Sequence, residues 1–149
     1  MIHSKAIIFL IIMLCSCERK NEKLIPLFEQ TKEVMKGEDL FVFKSTNIDS
    51  FNFDRDRYRP RFYMAVEKNP SLKNDVEAYL DSKGISPIEP IRYLYLCFCF
   101  HMYLNKTSFN DEEIYEKIKQ FYKRRRGIDL KGDLDNVVFP NDNVPERWN

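Results

Sequence analysis

The stretch IRYLYLCFCFHMYL, residues 91–104, decides the fold, because it is apolar on nearly every side. It follows the motif SPIE at residues 86–89, where serine, an early proline and a glutamate are typical of a helix start. A helix that is apolar all round is buried by its neighbours, and this run is shorter than the ~20 residues of a membrane span. The sequence therefore predicts a central core helix near residues 88–105. A buried strand is the alternative, since aromatic residues dominate the run.

Apolar residues at helical spacing predict three more helices around this one. Their apolar stripes lie at residues 24–35, 72–80 and 114–122. Each stripe is followed by a glycine, the residue that most easily takes the left-handed conformation that ends a helix. These glycines are Gly37, Gly84 and Gly127.

The segment DLFVFK at residues 39–44 is rich in aromatic residues and predicts a strand. Ile48, Phe51 and Phe53 extend this prediction to a small β element near residues 39–53, with an aromatic-bearing loop as the alternative. The predicted fold class is mainly α, with about four helices around the central apolar helix. Residues 24–149 are expected to form this single helical domain, a length that suits one hydrophobic core.

The composition describes an aromatic-rich, electrically balanced chain. It contains 12 Phe and 8 Tyr but only 4 Gly, which argues against both disorder and a β-barrel. The whole chain has 24 basic and 23 acidic residues. Because Lys5 is the one charged residue among the first 16, the remainder carries 23 of each sign. The chain has no large excess of positive charge that would attract nucleic acid, so no nucleic-acid partner is predicted.

The N-terminal segment has the plan of an export signal. Lys5 is followed by an apolar run at residues 6–14 and then by the sequence Leu14-Cys15-Ser16-Cys17. These last four residues resemble the lipobox of bacterial membrane lipoproteins, with Leu at −3 and small residues before the modified cysteine. The alternative is an uncleaved apolar tail or a different start codon.

The lipoprotein resemblance implies a location and a membrane contact. It implies that residues 1–16 are a removed signal peptide, that Cys17 carries a lipid such as palmitate, and that residues 17–23 form a tether. The working protein is then expected in the bacterial cell envelope, held to a membrane by lipid on Cys17. Glu18, rather than Asp, follows Cys17 and favours the outer membrane over the inner one. The resemblance covers residues 1–17 alone and implies nothing about the fold.

Cys97, Cys99 and His101 are the only cluster of ligand-type side chains. On a helix Cys97 and His101 share a face while Cys99 points elsewhere, and two ligands do not complete a tetrahedral zinc site. On a strand all three share a face, and a soft metal becomes plausible. Because their neighbours are apolar, the sequence predicts packed core residues, no metal site and no cofactor.

Four arginines alternate along residues 53–63 and, if this segment is extended, lie on one face. Arginine among aromatic residues is the composition of binding hot spots, and Trp148 is a further exposed-anchor candidate in the tail. A solvated loop with Asp–Arg pairs, and a tail strap that packs Trp148, are the alternatives. The candidate partner-binding residues are Arg55, Arg57, Tyr58, Arg59, Arg61 and Trp148.

The basic run at residues 123–126 ends a helix that begins with the acidic residues 111–113. Acidic residues at the start and basic residues at the end of a helix both interact favourably with its dipole, which is a sufficient structural cause. Contact with anionic lipid headgroups is the alternative.

Two classes of function remain open. The sequence contains no recognisable catalytic set, so the preferred hypothesis is a lipid-anchored protein that binds a protein partner in the envelope, as an accessory subunit or an immunity- or inhibitor-type lipoprotein. The alternative is an envelope metal-binding protein or an enzyme, with Cys97, Cys99 and His101 as its only visible support.

Overall fold

A computed structural model describes residues 22–48, 59–108, 110–132 and 136–137. These residues form a short 3-10 turn, Glu22–Leu24, and six α-helices. The helices are α1 (Ile25–Val34), α2 (Glu38–Ser45), α3 (Arg59–Lys68), α4 (Pro70–Ser82), α5 (Glu89–Leu104) and α6 (Asp111–Arg126). The mainly α fold class is confirmed, and no helix within the described ranges has the length and apolar character needed to cross a membrane.

Helix α5 is the central element, as the sequence predicts. The buried Phe100 packs its ring against Phe28 of α1, Phe43 of α2 and Phe62 of α3, with centroids 5.4–5.5 Å apart. Arg92 of α5 is hydrogen-bonded to α4, and Tyr95 of α5 to the first residue of α6. Side chains of α5 therefore contact all five other helices. Nine of its described residues are buried, at positions 90, 91, 93–95 and 97–100.

The predicted strand at residues 39–44 is wrong, because these residues belong to α2. Glu38 and Asp39 lie in the first turn, where negative charge interacts favourably with the helix dipole. A strand would place Phe41 and Phe43 on one face, whereas the helix separates them. Phe43 is fully buried against Phe100, and Phe41 is 69% exposed. The rest of the predicted β element, residues 49–53, lies outside the described residues.

The described helices also outnumber the predicted four. Helix α2 replaces the strand, and α3 begins within the arginine-rich segment 53–63, for which the sequence predicted no helix. Phe62, Ala65 and Val66 of α3 have the spacing of an amphipathic helix, and Phe62 and Ala65 are buried. This apolar pattern is short and follows Arg59 and Pro60 directly in the sequence. Because arginines alternate in the same segment, the helix is hard to recognise from the sequence alone.

Helix α6 has the ends that its sequence predicts. The Asn110 side chain accepts a hydrogen bond of 2.8 Å from the amide of Glu113. Gly127 takes a left-handed conformation, with φ at 65°, and its amide donates to the Lys123 carbonyl. Gly84 similarly follows α4, but Gly37 differs from the prediction: α1 ends earlier, at Val34, and Gly37 is the residue that precedes α2.

Candidate functional site

Of the predicted partner-binding residues, the structure describes part of the arginine series. Arg59 and Arg61 lie in α3, so this portion is helical and its alternate residues do not share one face. Arg61 is half-buried and donates from Nη2 to the Asp39 carboxylate of α2 at 3.2 Å. Arg55, Arg57, Tyr58 and Trp148 lie outside the described residues.

The Asp39–Arg61 ion pair joins the start of α2 to the first turns of α3. Phe41 follows Asp39 by two residues and has the highest exposure of the large apolar side chains in the described ranges. We call α2 with its exposed Phe41, together with the Asp39–Arg61 contact to α3, the α2–α3 surface. Residues two apart on a helix lie on different faces, so Phe41 and the ion pair do not share a face of α2. Residues 49–58, which carry three more candidate residues, connect the two helices in the chain.

Cys97, Cys99 and His101 lie on α5 and have structural roles. Both thiols are fully buried and free, and the described residues contain no group of three or more possible metal-ligating side chains. Nε2 of His101 lies 3.1 Å from the carbonyl oxygen of Thr46, to which it donates a hydrogen bond. His101 therefore connects α5 to the end of α2, and its ring packs near Phe43.

A buried polar cluster connects α4, α5 and α6. Tyr95 of α5 donates a hydrogen bond of 2.9 Å to the carboxylate of Asp111, at the start of α6. Tyr79 of α4 hydrogen-bonds with Tyr95, and Lys83 lies 3.8 Å from Asp111. Burial raises the pKa of Tyr79 to about 12 and that of Tyr95 further. Both hydroxyl groups thus keep their protons at neutral pH and serve as hydrogen-bond donors rather than as bases.

The cluster predicts a loss of stability at alkaline pH. Burial raises the pKa of the Cys97 and Cys99 thiols as well, whereas unfolded Cys and Tyr titrate near ~8.5 and ~10. Above these values the folded chain binds more protons than the unfolded chain, so the free energy of unfolding falls by about 1.4 kcal/mol per pH unit for each such proton. We expect urea denaturation to give a nearly constant value from pH 7 to about 8 and a steep decrease above pH 9.

Tyr95→Phe provides the control for this prediction. It removes one titrating group and should reduce the slope above pH 10, although it also lowers stability at pH 7 by removing the bond to Asp111. A free energy of unfolding that does not change up to pH 10.5 would contradict the prediction.

Arg92 is a structural residue that the apolar pattern of residues 91–104 did not reveal. Its guanidinium donates to the Ser86 carbonyl at 2.9 Å, the Ile85 carbonyl at 3.2 Å and the Glu77 carboxylate at 2.6 Å, and it also pairs with Asp81. These bonds fix the start of α5 against α4. A lone arginine inside an apolar run is the signal that was available, because a buried charge needs partners.

Beside Arg92, helices α3, α4 and α5 enclose a cleft of about 670 Å³. Most of its lining residues are apolar, and they include Leu27 of α1. The charged groups of this cleft are Arg92 and three further side chains: Glu67, Lys73 and Glu77. The sequence did not predict the cleft, because its residues come from four helices. Its volume falls within the range of about 300–1,000 Å³ that is typical of small-molecule sites.

The basic end of α6 is exposed, and its acidic start lies at the opposite end of the helix. Lys123 pairs with Asp129 just beyond the helix at 3.2 Å. This arrangement agrees with the dipole explanation of the basic run; contact with anionic lipid stays a prediction.

The sequence matches no protein-family model, and it has no significant similarity to a curated protein or to a solved structure.

Proposed function

We propose that this chain is a lipid-anchored protein of the bacterial cell envelope that binds a protein partner, as an accessory subunit or as an immunity- or inhibitor-type lipoprotein. The lipobox resemblance at Leu14-Cys15-Ser16-Cys17 supports the anchor, with lipid on Cys17 as the membrane contact. Glu18 favours the outer membrane. The helical body is then the part that meets the partner.

The exposure of Phe41 is the observation that carries the partner-binding part of this proposal. A phenylalanine 69% exposed on a helix gains free energy when a partner covers it, at about 25 cal/mol per Å² of apolar surface. Aromatic side chains are enriched at protein interfaces, and Phe41 is a large aromatic residue that the fold leaves exposed. Phe41 is therefore the candidate anchor residue of the α2–α3 surface.

Phe41→Ala is expected to weaken partner binding by about tenfold or more, because truncating a central aromatic anchor typically costs over 1 kcal/mol. Cross-linking in intact cells from a photoreactive phenylalanine at position 41 should first give a discrete protein adduct. The matched site is Glu112, which is exposed in the first turn of α6. A probe placed there should not give that adduct.

Affinity for the cross-linked partner is then measured with the purified chain and its Phe41→Ala variant. Ile25→Ala, which truncates an exposed apolar residue of α1, should leave the affinity unchanged. Equal affinities for the wild type and Phe41→Ala would show that the α2–α3 surface is not the interface.

The alternative function, a metal-binding protein or an enzyme, has no supporting observation among the described residues. Its basis was Cys97, Cys99 and His101. Both thiols are buried in the core, and His101 is hydrogen-bonded to Thr46. We therefore propose one function only.

A further inference from the structure

The cleft between α3, α4 and α5 has an apolar interior and a charged rim. Tyr63 and Tyr93 belong to its lining, but most of the uncharged lining side chains offer no hydrogen bonds, among them Leu27, Phe62, Val66, Val76, Leu80 and Leu96. A polar group placed there would lose its bonds to water without replacement, which costs free energy. We therefore expect the part of a ligand that lies against these side chains to be apolar.

Arg92 borders the cleft, but its guanidinium nitrogens already donate hydrogen bonds to other groups of the protein. Its three guanidinium nitrogens contact two carbonyl groups and two carboxylates, and its side chain is only 11% exposed. The guanidinium is thus held by the protein and is not open to a ligand anion. Glu77 is neutralised by the same contact.

Two rim charges remain, Lys73 of α4 and Glu67 of α3. Both side chains are exposed, and neither forms an ion pair within the described part of the chain. Together with the Arg92–Glu77 pair they give the rim two positive and two negative charges. A head group with one cation and one anion complements Glu67 and Lys73, whereas a head group of one sign satisfies only one of them.

The start of the domain packs against one of the helices that line the same cleft. The turn Glu22–Leu24 packs against α4, which carries Lys73, Val76 and Leu80 of the cleft. Four residues lie between Cys17 and Glu22, and an extended chain spans at most ~3.6 Å per residue. If Cys17 carries lipid, as the proposed function holds, Glu22 stays within about 20 Å of a membrane surface, and the turn that packs against the cleft helix α4 stays near that surface.

We infer that this cleft binds the acyl chain of a zwitterionic single-chain lipid, with the lipid phosphate at Lys73 and its ammonium group at Glu67. The inference takes its source of lipid from the anchor in the proposed function, but it concerns a different surface from the α2–α3 surface.

Titration calorimetry with lysophosphatidylethanolamine, below its micelle-forming concentration, tests this inference. The protein is the chain from residue 17 onward with Cys17→Ala, which contains every described helix and carries no lipid. We expect saturable binding at one site. Lengthening the acyl chain by two CH₂ groups should tighten binding about tenfold, because each buried CH₂ contributes a similar increment. The inference is overturned if no binding is detected, or if the affinity does not change with the length of the acyl chain.

Two variants of α3 locate the binding site. Val66→Trp fills the cleft and is expected to weaken binding at least tenfold, whereas Met64→Trp, an exposed residue of the same helix outside the lining, should not. Far-UV circular dichroism and thermal melting confirm that both variants fold, and Leu96→Phe replaces Val66→Trp if it does not. Equal affinities in the cleft and control variants overturn the assignment of the site.

The head group is tested separately with an uncharged alkyl glucoside of the same chain length. Lys73→Gln should weaken lysophospholipid binding about threefold, the scale of an exposed ion pair, and leave glucoside binding unchanged. An equal effect on both ligands overturns the head-group assignment. None of these measurements depends on Phe41 or on lipidation of Cys17, so the proposed function and this inference can fail independently.

Discussion

Phe100→Ala is expected to lower the free energy of unfolding by about 3–5 kcal/mol, the range for a fully buried phenylalanine. The Phe100 ring is 0% exposed and lies between Phe28, Phe43 and Phe62, which belong to three different helices. Truncation leaves a cavity that no single helix can close by moving. Because small domains are typically stable by only about 5–15 kcal/mol, we expect a large decrease in the urea midpoint at pH 7.

Phe41→Ala is the matched control for this stability measurement. It removes the same side chain from an exposed position of α2 and should change the free energy of unfolding by no more than about 0.5 kcal/mol. If the two variants were destabilised equally, α5 would not be the centre of the core.

Cys17→Ala is expected to abolish incorporation of a labelled fatty acid into the protein. The lipobox resemblance places the lipid on the sulfur of Cys17, and alanine has no group that can carry it. Cells that express the wild-type chain or the variant would be fed the labelled acid, and the protein would be isolated from the membrane fraction. The wild type should be labelled and the variant should not.

The chain provides its own control for this experiment at Cys15. Leu14, rather than a small residue, precedes Cys15, so Cys15→Ala should leave the label in place. Label that persists in Cys17→Ala but disappears in Cys15→Ala would move the attachment site by two residues. An unlabelled wild type would remove the anchor from the proposed function.

The central helix and the two helices with clear apolar stripes, α4 and α6, can be predicted from sequence because their signals are local. Asn110 and Gly127 bracket α6, and the apolar run at residues 91–104 requires burial on all sides whatever surrounds it. The apolar periodicity and the helix-capping residues agree in these segments. Their helical conformation can therefore be predicted without knowledge of contacts to distant residues.

Helices α2 and α3 are harder to predict because tertiary contacts decide their conformation. The composition of residues 39–44 suits a strand, but Phe43 reaches Phe100 only if the segment is helical. Asp39 and Arg61 are 22 positions apart, and their pairing depends on how α2 and α3 approach each other. No local pattern contains that information.

The candidate sites were less predictable than the fold. The arginine series indicated Arg61 as a candidate residue, but the exposure of Phe41 depends on the packing of α2, which places Phe43 against Phe100. The cleft depends on four helices whose relative positions no single segment encodes. Arg92 shows the opposite case, since its isolated charge within an apolar run was a readable sign of a buried contact.

The position of α5 late in the chain has a consequence for biosynthesis. A nascent chain that ends before Glu89 lacks the shared partner of α1, α2 and α3, since Phe28, Phe43 and Phe62 all pack on Phe100. The first four helices can then contact one another but lack the helix that completes the core, and isolated helices of 8–13 residues are only marginally stable in water. During synthesis the core therefore stays incomplete until α5 has left the ribosome.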